Sequence, residues 1–281
     1  MLGTPITFFI LFLWVMGRFI IYTNGVESVS MNGILRPPKS ILKPVGRALA
    51  QFKMIREGDR ILLGLSGGKD SLTLLVVLKH LQRHAPVKFD LAACTVDPQI
   101  PGFDPSPLKE FLAELGVPYF YHSEDFLEQA ARQMKGDSFC SFCARKKRGI
   151  LYTVCRREGY NVLALAQHLD DLAESFLMSA FHSGDLRTMK AHYLNNAGDI
   201  RIIRPLVRVR ERQCQAFAQQ AGLPVIVDNC PACYSKPTER AHFKQLLHAE
   251  EQRNAHLFAN LWRAMQPLIA DDNQGGALLG G

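Results

Sequence analysis

A glycine-rich turn between an apolar strand and a helix is the feature that most constrains the fold of this chain. Residues 60–65 (RILLGL) form a short apolar run, and residues 66–71 (SGGKDS) follow it directly. Residues 72–81 then continue with the apolar spacing of a helix. A strand that leads through glycines into a helix is typical of α/β proteins, where the turn lies at the carboxyl end of a parallel strand.

The chemistry of residues 66–71, the glycine-rich loop, is that of a phosphate-binding turn. Two glycines let the main chain approach a phosphate, and the helix N terminus supplies N–H groups and positive potential. The loop is not a Walker A motif, which needs four residues between its first glycine and Gly-Lys and then Ser or Thr, whereas Asp70 follows the lysine here. It does not match GxGxxG either. An acidic residue there fits Mg²⁺ beside a departing pyrophosphate, whereas a turn that only caps a helix is the alternative. The predicted nucleotide-binding residues are Ser66, Gly67, Gly68, Lys69, Asp70 and Ser71, with Asp70 also as the Mg²⁺ ligand.

Strands and helices alternate along the rest of the chain. Apolar runs predict strands at 89–96, 117–121, 161–166, 200–204 and 224–227. Helical spacing predicts helices at 44–57, 107–115, 124–134, 143–158, 168–181, 211–220 and 239–268. This alternation predicts a parallel sheet with helices on both faces and ligands at the carboxyl ends of the strands. We expect one α/β domain over residues 36–270, ending in a helix, and a glycine-rich flexible tail at 271–281.

The first 35 residues differ from this pattern. Residues 6–22 are nearly all apolar, with one charge at Arg18. A spanning helix needs about 20 apolar residues and a secretory signal begins with a basic stretch, so neither description fits well. Two interpretations stay open: a membrane anchor or weak signal, and a segment upstream of a true translation start at Met31. Basic residues after the segment favour a cytoplasmic body, tethered to the membrane only if the segment is real.

Four of the seven cysteines form two CxxC pairs, Cys140 with Cys143 and Cys230 with Cys233. In a reducing compartment such pairs bind metal or act in catalysis more often than they form disulfides. From spacing alone, a structural zinc site, an iron–sulfur cluster and redox-active or inert thiols all stay open. The remaining cysteines lie in apolar settings and are predicted to be buried: Cys94, Cys155 and Cys214.

Together these motifs resemble a known group of enzymes. LSGGKDS at 65–71 is similar to the PP-loop of the ATP pyrophosphatases, which adenylate a substrate oxygen and then displace AMP with a nucleophile. The runs at 140–152 (CSFCARKKRGILY) and 229–237 (NCPACYSKP) resemble the tRNA 2-thiocytidine synthetase family within that group. The similarity extends from about Lys43 through Pro267. It implies the PP-loop fold, also described as adenine nucleotide alpha hydrolase-like.

The resemblance also implies an activity. It implies that the protein binds ATP and Mg²⁺, adenylates O2 of cytidine 32 in tRNA, and inserts sulfur at a [4Fe–4S] cluster to give 2-thiocytidine. The implied cluster ligands are Cys140, Cys143 and Cys230. Cys233 matches an accompanying cysteine, since a fourth ligand would leave no iron open for sulfide. Expected partners are tRNA, a sulfur donor such as a cysteine desulfurase, and a second copy of the chain in a homodimer.

Acidic residues and a histidine near strand ends are the predicted catalytic groups. Asp97 ends the second strand and matches an acidic position that related enzymes carry near the nucleotide. His168 and Asp171 lie in AQHLDD, where the family has GHHRDD, so one basic contact is lost. A structural hydrogen bond for the histidine and simple helix capping by the aspartates are the alternatives. The predicted catalytic set is Asp70, Asp97, His168 and Asp171.

Basic residues suggest the nucleic-acid partner. The formal net charge is +7, and four consecutive cations follow the first CxxC pair after one alanine. They would contact tRNA phosphates, although charge runs are commonly solvated surface. Residues 183–197 differ from the corresponding family loop, so thiolation of another nucleoside or of a non-RNA acceptor stays open, as does a non-catalytic nucleotide-binding metal-cluster regulator. The predicted nucleic-acid contacts are Arg145, Lys146, Lys147, Arg148 and Arg204.

Overall fold

The computed structural model describes residues 35–134, 139–226 and 238–270 of the chain. The strands in these ranges are β1 (Asp59–Gly64), β2 (Phe89–Asp97), β3 (Tyr119–Ser123), β4 (Val162–Ala164), β5 (His192–Leu194) and β6 (Arg201–Ile203). They form one sheet in the order β3-β2-β1-β4-β6-β5. Every neighbouring pair is parallel except β5 with β6, which is antiparallel. The predicted α/β class is confirmed, and the antiparallel edge strand β5 is an addition to it.

Helices connect the strands and flank the sheet. Those in the described ranges are α1 (Lys39–Gln51), α2 (Lys69–His84), α3 (Ser106–Leu115), α4 (Phe126–Gln133), α5 (Phe139–Glu158), α6 (Leu169–Ser183), α7 (Glu211–Gln220), α8 (Glu239–Arg253) and α9 (Leu257–Ile269). Helix α5 contacts β2 and β4, whereas α2 contacts β1, β2 and α7. Helix α6 packs on α8 and α9.

Burial along the strands shows that both faces of the sheet are covered. Successive strand residues point to opposite faces. Leu62 of β1 and Leu163 of β4 pack in one cluster with Leu151 of α5. Ile61 and Leu63 point to the other face and are equally buried, because α2 contacts β1 on that side. The near-continuous apolar strands therefore reflect a sheet without a solvated face.

The strand order reverses between β1 and β4. From β1 the chain moves outward through β2 to β3, and it then crosses to the other side of β1 to form β4. A reversal of this kind leaves a crevice outside the carboxyl ends of the two central strands. The glycine-rich loop follows β1, and residues 165–168 follow β4, so both lie at this crevice.

Helix α1 begins at Lys39, five residues earlier than predicted, because Pro44 lies inside the helix rather than at its start. A proline has no N–H to donate to the carbonyl four residues before it. The Ser40 carbonyl instead accepts a hydrogen bond from Gln213 Nε2 of α7, at 2.8 Å. A side chain from another helix thus replaces the missing main-chain bond.

Two further predictions about helices and strands were wrong. The predicted helix at 239–268 is divided at Asn254, whose backbone is extended and whose side chain accepts a hydrogen bond from the His256 N–H at 2.9 Å. Asparagine side chains favour such local bonds over helix continuation. Residues 224–226 do not form a strand.

Both terminal segments lie outside the described residues. In the described ranges, no helix is both long and apolar enough to cross a bilayer. The apolar run at 6–22 and the tail at 271–281 lie outside those ranges.

Candidate active site

A cleft of about 510 Å³ opens at the carboxyl ends of β1, β4 and β6. The glycine-rich loop supplies one part of its lining, with Ser66, Gly68, Asp70 and Ser71. Helix α5 and the ends of β4 and β6 supply the rest. The cleft therefore occupies the crevice that the reversal of strand order predicts.

The backbone of the glycine-rich loop is fixed by its own hydrogen bonds and by a neighbouring segment. Ser66 Oγ accepts from the Gly68 N–H at 3.3 Å, and Ser71 Oγ donates to the Gly68 carbonyl at 2.9 Å. Gly67 has φ +84°, and a Cβ there would lie 2.7 Å from Ile226 Cδ1. The Ile226 N–H donates to the Gly67 carbonyl at 2.9 Å. Only glycine meets both the conformation and the close approach at position 67.

The loop lysine points away from the cleft. Lys69 Nζ lies 3.0 Å from Asp70 Oδ2 and 2.9 Å from Glu211 Oε1, and it lines a separate cavity of about 330 Å³. Burial lowers the pKa of Lys69, but the two carboxylates outweigh it and raise that pKa. Lys244 Nζ lies 2.6 Å from Glu211 Oε2, and the two lysines, against the effect of burial, lower the pKa of Glu211 to about 2. The predicted nucleotide-binding lysine thus belongs to an ion-pair network behind the loop.

The two carboxylate oxygens of Asp70 have different surroundings, and Oδ2 is the one that pairs with Lys69. Its Oδ1 is buried and has no hydrogen-bond partner within the described residues. The neighbouring Cys214 thiol stays protonated, because burial and the Asp70 carboxylate both raise its pKa. A buried carboxylate oxygen at the edge of a cleft is an acceptor for a cation or a donor group of a ligand.

His168 caps helix α6 and is buried, with 4 % of its surface exposed. Its Nδ1 accepts from the Asp171 N–H at 3.3 Å, and Asp171 Oδ2 accepts from the His168 N–H at 3.0 Å. Because Nδ1 is the acceptor, the neutral ring carries its proton on Nε2, which lies 3.8 Å from Asp70 Oδ2. His168 is not among the residues that line the cleft, whereas Asp171 is. An acid–base role for His168 stays a prediction, and the observed geometry is that of a helix cap that faces Asp70.

The two adjacent aspartates of α6 have different surroundings. Asp170 Oδ2 accepts from the Glu211 N–H at 2.7 Å, and Asp170 Oδ1 pairs with Arg210 at 3.0 Å. Arg210 in turn pairs with Glu251 at 2.6 Å, so Asp170 joins α6 to α7 and α8. The second aspartate, Asp171, faces the cleft instead.

Arg240 of α8 lies between two carboxylates at the edge of the cleft. Its guanidinium is 3.5 Å from Asp171 and 3.5 Å from Glu174. Burial and the Asp171 charge raise the pKa of Glu174 to about 7, although Arg240 opposes them. Arg240 also lines the cleft, and sequence reasoning missed it. The one feature of the sequence that could have indicated Arg240 is its position in the first turn of the helix that follows the second CxxC pair.

Asp97 lies at the carboxyl end of β2 but outside the cleft lining. Its Oδ2 accepts from the Tyr121 hydroxyl, and its Oδ1 accepts from the Gln99 N–H at 2.7 Å. Cys94 and Val96 of the same strand reach the cleft instead. The predicted catalytic role of Asp97 stays a prediction.

The first CxxC pair lies in the first turn of α5, on the side that leads to the cleft. Cys140 is exposed and Cys143 is half-buried. Neither thiol lines the cleft, but residues three and four apart share a helix face, and Ala144 and Lys147, which follow on the face of Cys140 and Cys143, do line it. The predicted ligand Cys230 and its companion Cys233 lie outside the described residues. The remaining cysteines are buried, as predicted: Cys94, Cys155 and Cys214.

The predicted basic residues separate into two groups. Lys147, Arg148 and Arg204 line the cleft. Arg145 and Lys146 line a neighbouring cavity of about 550 Å³ on the other side of α5. The four consecutive cations after Cys143 therefore lie on two different surfaces, because successive residues of a helix point in different directions around its axis.

Comparison with known proteins agrees with this arrangement. A family model described as "PP-loop domain" matches residues 41–248. The tRNA-cytidine(32) 2-sulfurtransferase of Geobacter sulfurreducens is 42% identical over 228 residues, which cover 81% of this chain and 89% of that protein. The protein of the same name from Vibrio vulnificus is 37% identical over 233 residues, covering 82% and 74%.

Among solved structures, the U34-tRNA thiolase NcsA from Methanococcus maripaludis with its [4Fe-4S] cluster has a similar fold. Its TM-score is 0.67 at 24% identity, and the match covers 82% of this chain and 78% of that one. This similarity supports the fold, and the sequence relatives carry the assignment further. The chain therefore belongs to the PP-loop domain family and, within it, to the family named tRNA-cytidine(32) 2-sulfurtransferase.

Proposed function

We propose that this protein uses ATP to replace O2 of cytidine 32 in tRNA with sulfur, giving 2-thiocytidine. The observation that supports this proposal is that the helix carrying the first CxxC pair also lines the cleft of the glycine-rich loop. Cys140 and Cys143 begin the helix face whose next turn, with Lys147 and Arg148, lines the cleft that the glycine-rich loop also lines. The name of the relatives supplies the nucleoside and its position.

The chemistry explains why both features belong to one cleft. The O2 atom of cytosine is a poor leaving group, so it must first be activated. It attacks the α-phosphorus of ATP, and pyrophosphate leaves. A sulfur nucleophile then attacks C2, and AMP leaves with the former O2. Because both steps occur at adjacent atoms of one base, the nucleotide loop and the sulfur source must reach the same position.

The glycine-rich loop is suited to the triphosphate. Gly68 is the N-cap of α2 and provides no side-chain cap, so the first N–H groups of that helix are free to donate to phosphate oxygens. Ser66 and Ser71 add hydroxyl groups from the two ends of the loop. Lys69 contributes positive potential from behind the loop and holds Asp70 in place.

Asp70 is the residue that would hold Mg²⁺. Its buried Oδ1 has no hydrogen-bond partner in the described ranges, and carboxylate oxygens are the ligands that Mg²⁺ prefers. Bound there, the ion would neutralise charge on the departing pyrophosphate. Asp171 provides a second carboxylate in the same cleft.

The thiols of α5 fit a metal cluster. Cys140 is exposed and Cys143 is half-buried one helical turn further along α5, and Cys230 would complete a set of three ligands. A [4Fe–4S] cluster held by these three cysteines would supply the position from which sulfur is transferred. The proposal includes a separate sulfur donor, such as a cysteine desulfurase, and a cytoplasmic location.

Anaerobic reconstitution tests this function. The protein is purified without oxygen and given ATP, a sulfur source and tRNA from a strain that lacks the gene. We expect a brown protein that forms AMP and 2-thiocytidine, measured by nucleoside mass spectrometry. Stoichiometric zinc without AMP release would contradict the enzyme and favour a regulator, and a different thiolated nucleoside would change the substrate.

Cysteine variants test the ligand set. Cys140→Ala and Cys230→Ala should abolish the visible absorbance of the cluster, because each removes one of three ligands. Cys233→Ala is the matched control, since it changes the same CxxC pair and should leave the absorbance intact. Unchanged absorbance in Cys230→Ala would show that the ligand assignment is wrong.

A further inference from the structure

Arg204 is a buried cation that contacts neutral groups. It lies directly after β6, lines the cleft and has 5 % of its surface exposed. Its Nε donates to Gln167 Oε1 at 2.8 Å, and its Nη1 donates to the Lys190 carbonyl at 2.6 Å. No carboxylate of the described residues is among its partners. Buried charges are normally paired, so this guanidinium is unusual.

A second arginine faces the same place. Arg148 of α5 is half-buried and also lines the cleft. Tyr193 of β5 lies beside both arginines, and its ring is 5.4 Å from Arg204 Cζ. Burial raises the pKa of Tyr193, but Arg204 and Arg148 outweigh it, so the pKa is lowered. Burial and the charge of Arg148 in turn lower the pKa of Arg204. The two arginines therefore repel each other, and tyrosine hydroxyls compensate only in part.

This pair of arginines is separate from the site of the ATP phosphates. The glycine-rich loop follows β1, Arg204 follows β6, and β4 lies between these strands. Neighbouring strands are about 4.8 Å apart, so the two chain positions are roughly 10 Å apart along the sheet edge. The cleft thus has one anion-binding element at each end.

We propose that Arg148 and Arg204 form a subsite for a backbone phosphate of the RNA next to the nucleotide that is modified. The inference rests on the proposed function and adds the contact that positions the substrate. A phosphate between the two guanidiniums would remove their repulsion and accept charge-assisted hydrogen bonds from both.

The surroundings favour a phosphate of a polymer over a free phosphate. Helix α5 carries Arg148 on its cleft face, whereas Arg145 and Lys146 lie in the adjacent cavity together with Arg157. A basic surface thus continues from the cleft around the helix. Only a chain of phosphates contacts both parts at once, and such contacts dominate the affinity of proteins for nucleic acids.

Binding of unmodified tRNA at several salt concentrations tests the subsite. Arg148→Met removes the accessible member of the pair. We expect its affinity for tRNA to fall about tenfold and the slope of log K against log salt, between about 50 and 200 mM, to decrease by about 0.7 to 0.9, the value for one phosphate contact. The dissociation constant for ATP should stay unchanged. Arg204→Lys keeps the charge but loses the planar guanidinium with its paired donors. It should show a smaller loss of tRNA affinity, and its salt dependence should equal that of the wild type.

Arg253→Met is the matched control. Arg253 is 79 % exposed at the end of α8 and does not line the cleft, so its loss should change neither the affinity nor the slope. A melting midpoint equal to that of the wild type confirms that Arg148→Met is folded, and Arg204→Lys gives a second measurement at the other arginine.

The outcomes separate the subsite from the proposed function. An unchanged salt slope in Arg148→Met overturns the subsite, and so does a weaker affinity for ATP or inorganic pyrophosphate with tRNA affinity unchanged. Wild-type protein that thiolates cytidine 32 while Arg148→Met binds tRNA normally would leave the function and refute only the subsite. Wild-type protein that binds tRNA with the expected arginine dependence but makes no 2-thiocytidine would refute only the function.

Discussion

The cations at the two ends of the cleft have different kinds of partner. Behind the glycine-rich loop, Lys69 pairs with Glu211, and Arg210 pairs with Asp170 and Glu251. At the end formed by α5 and β6, the two arginines contact neutral groups in the described part of the chain. The first end uses its cations to join helices, because each one bridges carboxylates from different elements. The second end keeps its cations available for a ligand.

Structural charges and binding charges occur together in this one cleft. Residue type and position do not separate them, since both ends lie near the carboxyl ends of parallel strands of one sheet. The partner of each charge does separate them. A cation between carboxylates stabilises the folded state, whereas a half-buried cation without a carboxylate lowers stability and is retained for binding.

The largest expected effect concerns the exception within the paired end, Asp70. Its Oδ1 has no hydrogen-bond partner in the described residues, so Asp70→Asn should affect chemistry rather than folding. We expect AMP formation to fall by about 100-fold or more, because the amide is a poor ligand for Mg²⁺. AMP release and the melting midpoint are measured together. Asp90→Asn, at a side chain 73 % exposed on β2, is the control that should change neither.

Asp70→Asn also has a clear contradictory outcome. A variant with a normal rate of AMP formation would show that the orphaned oxygen has no part in catalysis. A variant that loses activity only because its melting midpoint collapses would show that Asp70 belongs to the structural charges.

Arg210→Met should give the largest loss of stability. It leaves two carboxylates, Asp170 and Glu251, without their shared cation, at a site where Arg210 is 13 % exposed. We expect the free energy of unfolding to decrease by about 3 kcal/mol, measured by urea denaturation. The exposed Arg253→Met is the control and should change it by less than about 0.5 kcal/mol. Equal effects of the two variants would refute the structural role of Arg210.

Glu211→Gln should give a smaller and pH-dependent loss. Near neutral pH we expect a decrease of about 1 to 2 kcal/mol in the free energy of unfolding, because Lys69 and Lys244 lose their shared carboxylate. The pKa of Glu211 is lowered from 4.5 to about 2 in the folded state. A lowered carboxylate pKa stabilises the fold above the unfolded-state pKa, and this stabilisation is lost as the pH falls from there toward the folded-state value.

The difference between wild type and Glu211→Gln should therefore be constant above pH about 6 and shrink as the pH falls toward about 2. Glu250→Gln is the matched control, since Glu250 is 46 % exposed and, among the described residues, its carboxylate pairs with an arginine on its own helix. A difference that stays the same at low pH would mean that the effect does not arise from the charge of Glu211.

The smallest expected effect lies at the other end of the cleft. Arg148→Met should leave the free energy of unfolding within about 0.5 kcal/mol of the wild type, or raise it, because it removes repulsion with Arg204. Urea denaturation of Arg148→Met beside Arg210→Met compares the two ends directly. A loss of about 2 kcal/mol or more in Arg148→Met would mean that its charge is structurally compensated after all.

The parts of the fold and of the site that are formed by residues close together in the sequence can be predicted from it. The glycine-rich loop, its strand and its helix are contiguous, so their arrangement follows from local conformation and apolar spacing. The stripe that joins Cys140 to Arg148 is also local, because it follows from helix periodicity once α5 begins at Phe139. The loop with its strand and its helix was predicted, whereas the helix predicted at 143–158 begins four residues earlier, at Phe139, and therefore also includes Cys140.

The parts that depend on distant partners could not be predicted. Lys69 turns away from the cleft because Glu211, 142 residues further along, holds its ammonium group. The position of Tyr193 depends on β5, a strand of three residues that exists through pairing with β6. A strand this short has too little alternation to be detected in the sequence. Charge pairing is thus the property that sequence reasoning missed at both ends of the cleft.

The hydrogen bond from Ile226 to the Gly67 carbonyl offers a way to follow the protein by spectroscopy. Four residues after Ile226 the chain reaches Cys230, the proposed third ligand. A nucleotide that reorients the peptide at Gly67 therefore breaks this hydrogen bond. Ile226, from which the chain continues to Cys230, is then released from the loop. The visible circular dichroism of the proposed cluster should then change when ATP binds, before any tRNA is present and without turnover. The proposed cluster would serve as a built-in optical probe of nucleotide occupancy.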